Sequence, residues 1–121
     1  MAGLGPVCTW DANTSIAQLY DALGKPDAVT IEKEHVNITL MEGLAEHCLV
    51  APSPEAIRVC QHRGREKTLL QSLGIMTAPF HLVEDAPALI DAVNNVGYPA
   101  FIKSCEQGYD GQNQWLSLIH I

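Results

Sequence analysis

Apolar positions recur along the chain at helical and strand spacings in alternation. In 15–23 the apolar residues Ile16, Leu19, Tyr20 and Leu23 lie on one helical face, and Gly24 follows as a stop. Residues 27–31 carry Ala-Val-Thr-Ile after a Lys-Pro-Asp turn and predict a short strand. Residues 38–46 predict a second amphipathic helix and 49–51 a brief strand. Helix and strand alternating over short connections predict an α/β piece with a mainly parallel sheet. The pattern then changes. Ser53 is placed as an N-cap, with Pro54 at the first helical position and Glu55 near the positive end of the dipole. This helix is expected to run to about Gln61, with a break at Gly64 and a second helix through Leu73, stopped by Gly74. Residues 80–83 predict a strand and 87–96 a helix stopped by Gly97; 98–104 and 113 onward predict two strands around a glycine-bracketed loop. The boundary between an α/β part, 1–52, and an α+β part, 53–115, is expected near Pro52-Ser53-Pro54.

Composition narrows the function classes. A chain of 121 residues is one domain or pieces of two, and 47% hydrophobic content supports a core. A net charge of −7 argues against nucleic acid or an anionic membrane as partner. No apolar run approaches membrane-spanning length and no leader is recognisable, so a cytoplasmic protein is expected. The four cysteines show neither a C-x-x-C nor zinc-finger spacing, which predicts reduced thiols acting as small core residues and no metal site. Four of the seven basic residues, Arg58, Arg63, Arg65 and Lys67, fall within ten positions. Such a cluster could hold a small anion or form a solvated helix face.

The most informative stretch is Gly97-Tyr98-Pro99-Ala100-Phe101-Ile102-Lys103, followed by Gly108-Tyr109-Asp110-Gly111. An apolar run ends in a lysine that reads as buried, whose amine must find an anion or reach water. The glycine-bracketed loop would let backbone N–H groups approach a phosphate closely. Two readings stand side by side: a nucleoside triphosphate site, and a β-hairpin with a snorkelling lysine and a turn.

Six motifs in order resemble one family. They are 27–36 (Asp-Ala-Val-Thr-Ile-Glu-Lys-Glu-His-Val), Pro52-Ser53-Pro54-Glu55-Ala56-Ile57-Arg58, and Gln61-His62-Arg63 with Glu66-Lys67. Then come Leu73-Gly74-Ile75 with Thr77-Ala78-Pro79, Gly97-Tyr98-Pro99 with Lys103, and Gly108-Tyr109-Asp110-Gly111. Together they resemble 5-(carboxyamino)imidazole ribonucleotide synthases, ATP-grasp ligases of de novo purine biosynthesis, over about residues 8–115. The resemblance implies a partial pre-ATP-grasp parallel α/β domain followed by the first part of an ATP-grasp α+β domain. It implies ATP-dependent carboxylation of 5-aminoimidazole ribonucleotide with bicarbonate, through attack on the γ-phosphate to give carboxyphosphate. Phosphoryl transfer depends above all on positioning and charge neutralisation, which accounts for the lysine, arginine and Mg²⁺ the family uses. Carried over, Arg63 and Lys103 would contact ATP phosphates. Gly108, Tyr109, Asp110, Gly111, Gln112, Asn113 and Gln114 would form the loop that closes over ATP. Glu32, with Tyr109 and Asp110, would face the ribonucleotide; Glu34 is a lesser candidate, and both glutamates could equally be solvated carboxylates at a strand end. The parent is implied to be a homodimer.

Departures accompany the resemblance. The family loop normally reads GYDGRG, whereas Gln112 and Asn113 stand here in place of its arginine and last glycine. Lys33 replaces a usually apolar residue, and Gly64 sits inside a family helix, at a cost of about 1 kcal/mol relative to alanine. The family's opening glycine-rich turn has no counterpart. The Mg²⁺ carboxylates belong to the second half of the ATP-grasp domain, so the chain reads as a fragment, inactive by itself. Residues 116–121 match the translation of a transposon-end sequencing adapter and read as a non-native tail; the same six residues also suit an apolar strand. Two other functions stay open: another ATP-grasp enzyme, such as phosphoribosylglycinamide formyltransferase or a biotin carboxylase, and a non-catalytic nucleotide-binding fragment.

Overall fold

The computed structural model describes residue 5, residues 7–106 and residues 113–117. The chain divides into two compact units, Met1–Arg58 and Val59–Ile121.

The first unit has the expected parallel α/β character. Helix α1 (Ile16–Ala22) begins at Ser15, whose Oγ accepts from the Gln18 N–H while the Gln18 side chain accepts from the Ser15 N–H. This reciprocal cap satisfies two donors that a helix start otherwise leaves orphaned. Strand β1 (Ala28–Thr30) is followed by α2 (Ile38–Ala45), capped by the Asn37 side chain on the Leu40 N–H at 3.1 Å. Strand β2 (Leu49–Ala51) pairs parallel to β1, with Ala28 opposite Leu49, Val29 opposite Val50 and Thr30 opposite Ala51. A parallel pair needs a crossover, and α2 supplies it.

The core of this unit is Leu19 from α1, Met41 and Leu44 from α2, Val50 from β2 and Ile57 from α3 (Pro54–Cys60). Ser53 caps α3 as expected, its Oγ accepting from the Ala56 N–H at 3.2 Å. Because Ile57 is buried against the first core, the compact division falls inside α3, beyond the expected boundary at 52/53. Arg58 stays with the same unit, paired to Glu42 of α2 and to Glu55 at 3.3 Å.

The second unit carries α4 (Arg63–Ser72), α5 (Ala86–Val96), β3 (Ala100–Lys103) and β4 (Gln114–Ser117). Strands β3 and β4 run antiparallel, with Phe101 opposite Leu116, Ile102 opposite Trp115 and Lys103 opposite Gln114. The Ser104 N–H donates to the Asn113 carbonyl at 3.1 Å and carries the pairing one step further. Helix α5 starts at Asp85, whose carboxylate accepts from the Ala88 N–H at 2.8 Å, and ends at Gly97 with φ 89°. Its buried residues are Ala92 and Val93; Ala100 of β3 is buried too.

Two expectations need correction. No strand forms over 80–83, since nothing among the described residues pairs with that segment, and a strand needs a ladder as well as β propensity. The break between the helices falls at Gln61 and His62, not at Gly64, which lies in the first turn of α4.

Candidate functional site

The chemistry-bearing residues of the second unit gather at the C-terminal end of β3. Successive strand residues face opposite sides, so Ala100 and Ile102 point inward while Phe101 and Lys103 share the open face. Lys103 is therefore exposed, which corrects the buried lysine expected from its apolar neighbours. Its Nζ lies 5.6 Å from the centroid of the Phe101 ring, close enough for a cation–π contact along an amphipathic stem.

Arg63 comes to the same strand end from α4. Its backbone N–H donates to the Cys105 carbonyl at 2.9 Å, and its Nη1 donates to the Ser104 carbonyl at 3.1 Å. Arg63 is thus tied to the two residues that follow Lys103, to Cys105 through its backbone N–H and to Ser104 through its guanidinium. The start of α4 that presents it is fully hydrogen-bonded. The His62 N–H reaches the Val59 carbonyl at 3.2 Å, and the Gly64 and Arg65 N–H groups both donate to His62 Nδ1, at 3.1 and 3.2 Å. With Arg63 on Cys105, every donor of the first turn that the helix itself cannot satisfy has an acceptor. The sequence pattern did not single out His62. The available signal was a side-chain acceptor placed directly before an Arg-x-x-Glu helix start.

The basic cluster splits. Arg58 is neutralised by Glu42 and Glu55, while Lys67 lies 5.9 Å from the Phe80 ring centroid. Arg63 reaches the residues just past β3.

Of the expected loop, Gly108, Tyr109, Asp110, Gly111 and Gln112 lie outside the described residues. Asn113 is described and has φ 55°. That is the left-handed region, where glycine is easiest and asparagine is the most tolerated alternative. The asparagine that stands for an expected glycine thus keeps the turn conformation such a position requires. Gln114 opens β4 opposite Lys103.

Glu32 lies in the first unit, exposed, in the bend just past β1, with Lys33 and Glu34 beside it. Exposure explains how a lysine stands there in place of an apolar residue. Among the described residues no three His, Cys, Asp or Glu side chains could hold a metal ion. The four cysteines are free; Cys8 packs half-buried against the first unit's core, Cys48 and Cys105 are half-buried, and Cys60 is exposed, so Cys60 is not the core residue expected of it. No helix among the described residues is long and apolar enough to cross a membrane.

Comparison with known proteins bears on this geometry. Residues 68–118 match the ATP-grasp domain. The chain is 44% identical over 88 residues to the bifunctional purine synthesis protein purC/E of Dictyostelium discoideum, a match covering 73% of this chain and 9% of that protein. It is 38% identical over 108 residues to the N5-carboxyaminoimidazole ribonucleotide synthase of Brucella melitensis biotype 1, covering 89% of this chain and 29% of that one. The crystal structure of the Aspergillus clavatus N5-carboxyaminoimidazole synthase in complex with ADP and 5-aminoimidazole ribonucleotide matches with a TM-score of 0.68 at 30% identity. That match covers 85% of this chain and 27% of the Aspergillus chain. The chain spans less than a third of the length of each of these relatives.

Proposed function

We propose, for a chain that belongs to the ATP-grasp family of N5-carboxyaminoimidazole ribonucleotide synthases, that its second unit supplies one wall of a nucleotide site. The reaction served is the ATP-dependent carboxylation of 5-aminoimidazole ribonucleotide by bicarbonate. The observation that supports this reading is that Arg63 bonds to the carbonyls of the two residues after Lys103, at the end of the strand that carries that lysine. A polyphosphate needs such charges fixed before it arrives, because a prepositioned donor requires no reorganisation when charge moves onto the transferring group.

Lys103 would donate to phosphate oxygen from the open face of β3, steadied by the Phe101 ring beneath it. Arg63, tied through its N–H and Nη1 to Cys105 and Ser104, would hold its charge beside that amine. The loop containing Tyr109 and Asp110 would cover the nucleotide, and Glu32 would face the ribonucleotide. Mg²⁺, when bound, would neutralise phosphate charge. Among the described residues no three His, Cys, Asp or Glu side chains could hold the ion. Cytoplasmic location and a homodimeric parent belong to the same reading.

The test is an ADP titration of the nitrogen-15-labelled chain. Amide shifts at Arg63, Lys103 and Ser104 are expected, with affinity at least about tenfold weaker in Lys103→Ala, the loss of one charge-assisted contact. Absence of those shifts, or equal affinity in the variant, would refute the assignment.

A further inference from the structure

We propose that His62 is the positioning residue that fixes Arg63 on the carbonyls after β3, and that only its neutral ring can do so. The inference rests on the reading of Arg63 as part of a nucleotide wall, but its structural content stands apart from it. Backbone N–H groups only donate, so the two bonds from Gly64 and Arg65 require a lone pair on Nδ1, and the ring proton of neutral His62 sits on Nε2. The ring thus does the work more often done by an Asn, Asp or Ser side chain at a helix start. It holds the two residues that follow Arg63. Without it, two N–H groups of the first turn lose their acceptor, the turn frays, and the Arg63 N–H to Cys105 bond opens with it.

Protonation has the same effect as removal. A proton on Nδ1 turns the acceptor into a donor aimed at two other donors. The charged groups on the same turn are Arg63, Arg65 and Glu66. From the segment before α5, the apolar Leu82 packs on this turn, and from the end of β3 the carbonyls of Ser104 and Cys105 reach it.

Amide hydrogen exchange on the whole chain tests this, with Leu44 and Val50 in the first unit as internal references. In His62→Ala the protection of the Arg63 amide is expected to fall roughly 2- to 30-fold, the worth of a helix cap, while the reference amides hold. His62→Asn, which supplies a cap oxygen that does not titrate, is expected to restore protection to within about twofold. Acidification far enough to protonate the ring should lower protection in the wild type and leave His62→Asn steady. Arg63 protection unchanged in His62→Ala, or the same pH dependence in wild type and His62→Asn, would overturn the proposal. An ADP titration run alongside separates the two ideas. If ADP moves neither Arg63 nor Lys103, the nucleotide reading fails, while the exchange data still decide the role of His62.

Discussion

Replacing Gly64 by alanine sets helix propensity against packing, and the structure decides which prevails. Within a helix, alanine is favoured over glycine by up to about 1 kcal/mol. Here, however, an added Cβ would lie 2.7 Å from Leu82 Cδ2, 3.0 Å from His62 Cε1 and 3.2 Å from His62 Nδ1. Leu82 can yield, since the clash is with the end of a flexible side chain that is 55% exposed. The imidazole cannot yield freely. Retreat by a few tenths of an ångström stretches bonds already at 3.1 and 3.2 Å toward the limit of a useful hydrogen bond. Losing the cap costs about 0.5–2 kcal/mol. The balance is therefore near zero or unfavourable by about 1 kcal/mol, and the ordinary gain from Gly→Ala is not realised.

A double-mutant cycle measured by urea denaturation isolates the cause. Gly64→Ala alone is expected to leave stability unchanged or lower. The same substitution made in a His62→Ala background is expected to stabilise by about 1 kcal/mol, since the ring is no longer there to be displaced. Equal effects in the two backgrounds, or a full gain in the presence of His62, would refute the claim that the glycine exists to admit the ring.

Other outcomes follow from single positions. Leu44→Ala should cost about 2–5 kcal/mol in urea melting of the first unit, because the side chain is 2% exposed and its loss leaves a cavity; a cost under about 1 kcal/mol would show that the core is not closed there. The Asn13 N–H, aided by the Thr14 hydroxyl, holds the Asp11 carboxyl below its ordinary value of 3.8. Its contribution should therefore be present above that value and be lost as pH falls through the lower folded-state value, with an Asn13 amide titration midpoint below 3.8; a midpoint at or above it would contradict the turn. The proposal that 116–121 is adapter-encoded predicts that truncation after Trp115 leaves circular dichroism melting unchanged, although Leu116 and Ser117 pair with Phe101 and Ala100. A marked loss of folded signal would show instead that the hairpin depends on those residues.

The parallel unit was legible because each of its signals is local. Ser15, Asn37 and Ser53 sit directly before apolar periodic runs, and each caps the helix that follows. The second unit was less legible because its decisive facts are pairings. Residues 80–83 have strand composition but no ladder, and composition does not supply a neighbour. Lys103 follows three nonpolar residues, yet the two-residue period of a strand places it with Phe101 on the open face. Gly64 reads as a helix breaker when only chain entropy is counted, and as an opening for an imidazole and a leucine once the neighbours are known. Arg63 and Ser104 stand 41 positions apart, and no periodicity links them. What the chain does offer is the order Gln61-His62-Arg63 just before a helix. An acceptor at the cap, followed at once by a cation, is a local arrangement that aims the cation's N–H and guanidinium away from the helix axis and toward whatever carbonyls the fold brings near. In this fold those carbonyls belong to the two residues beyond Lys103, so a local cap and a distant strand end together place the charge.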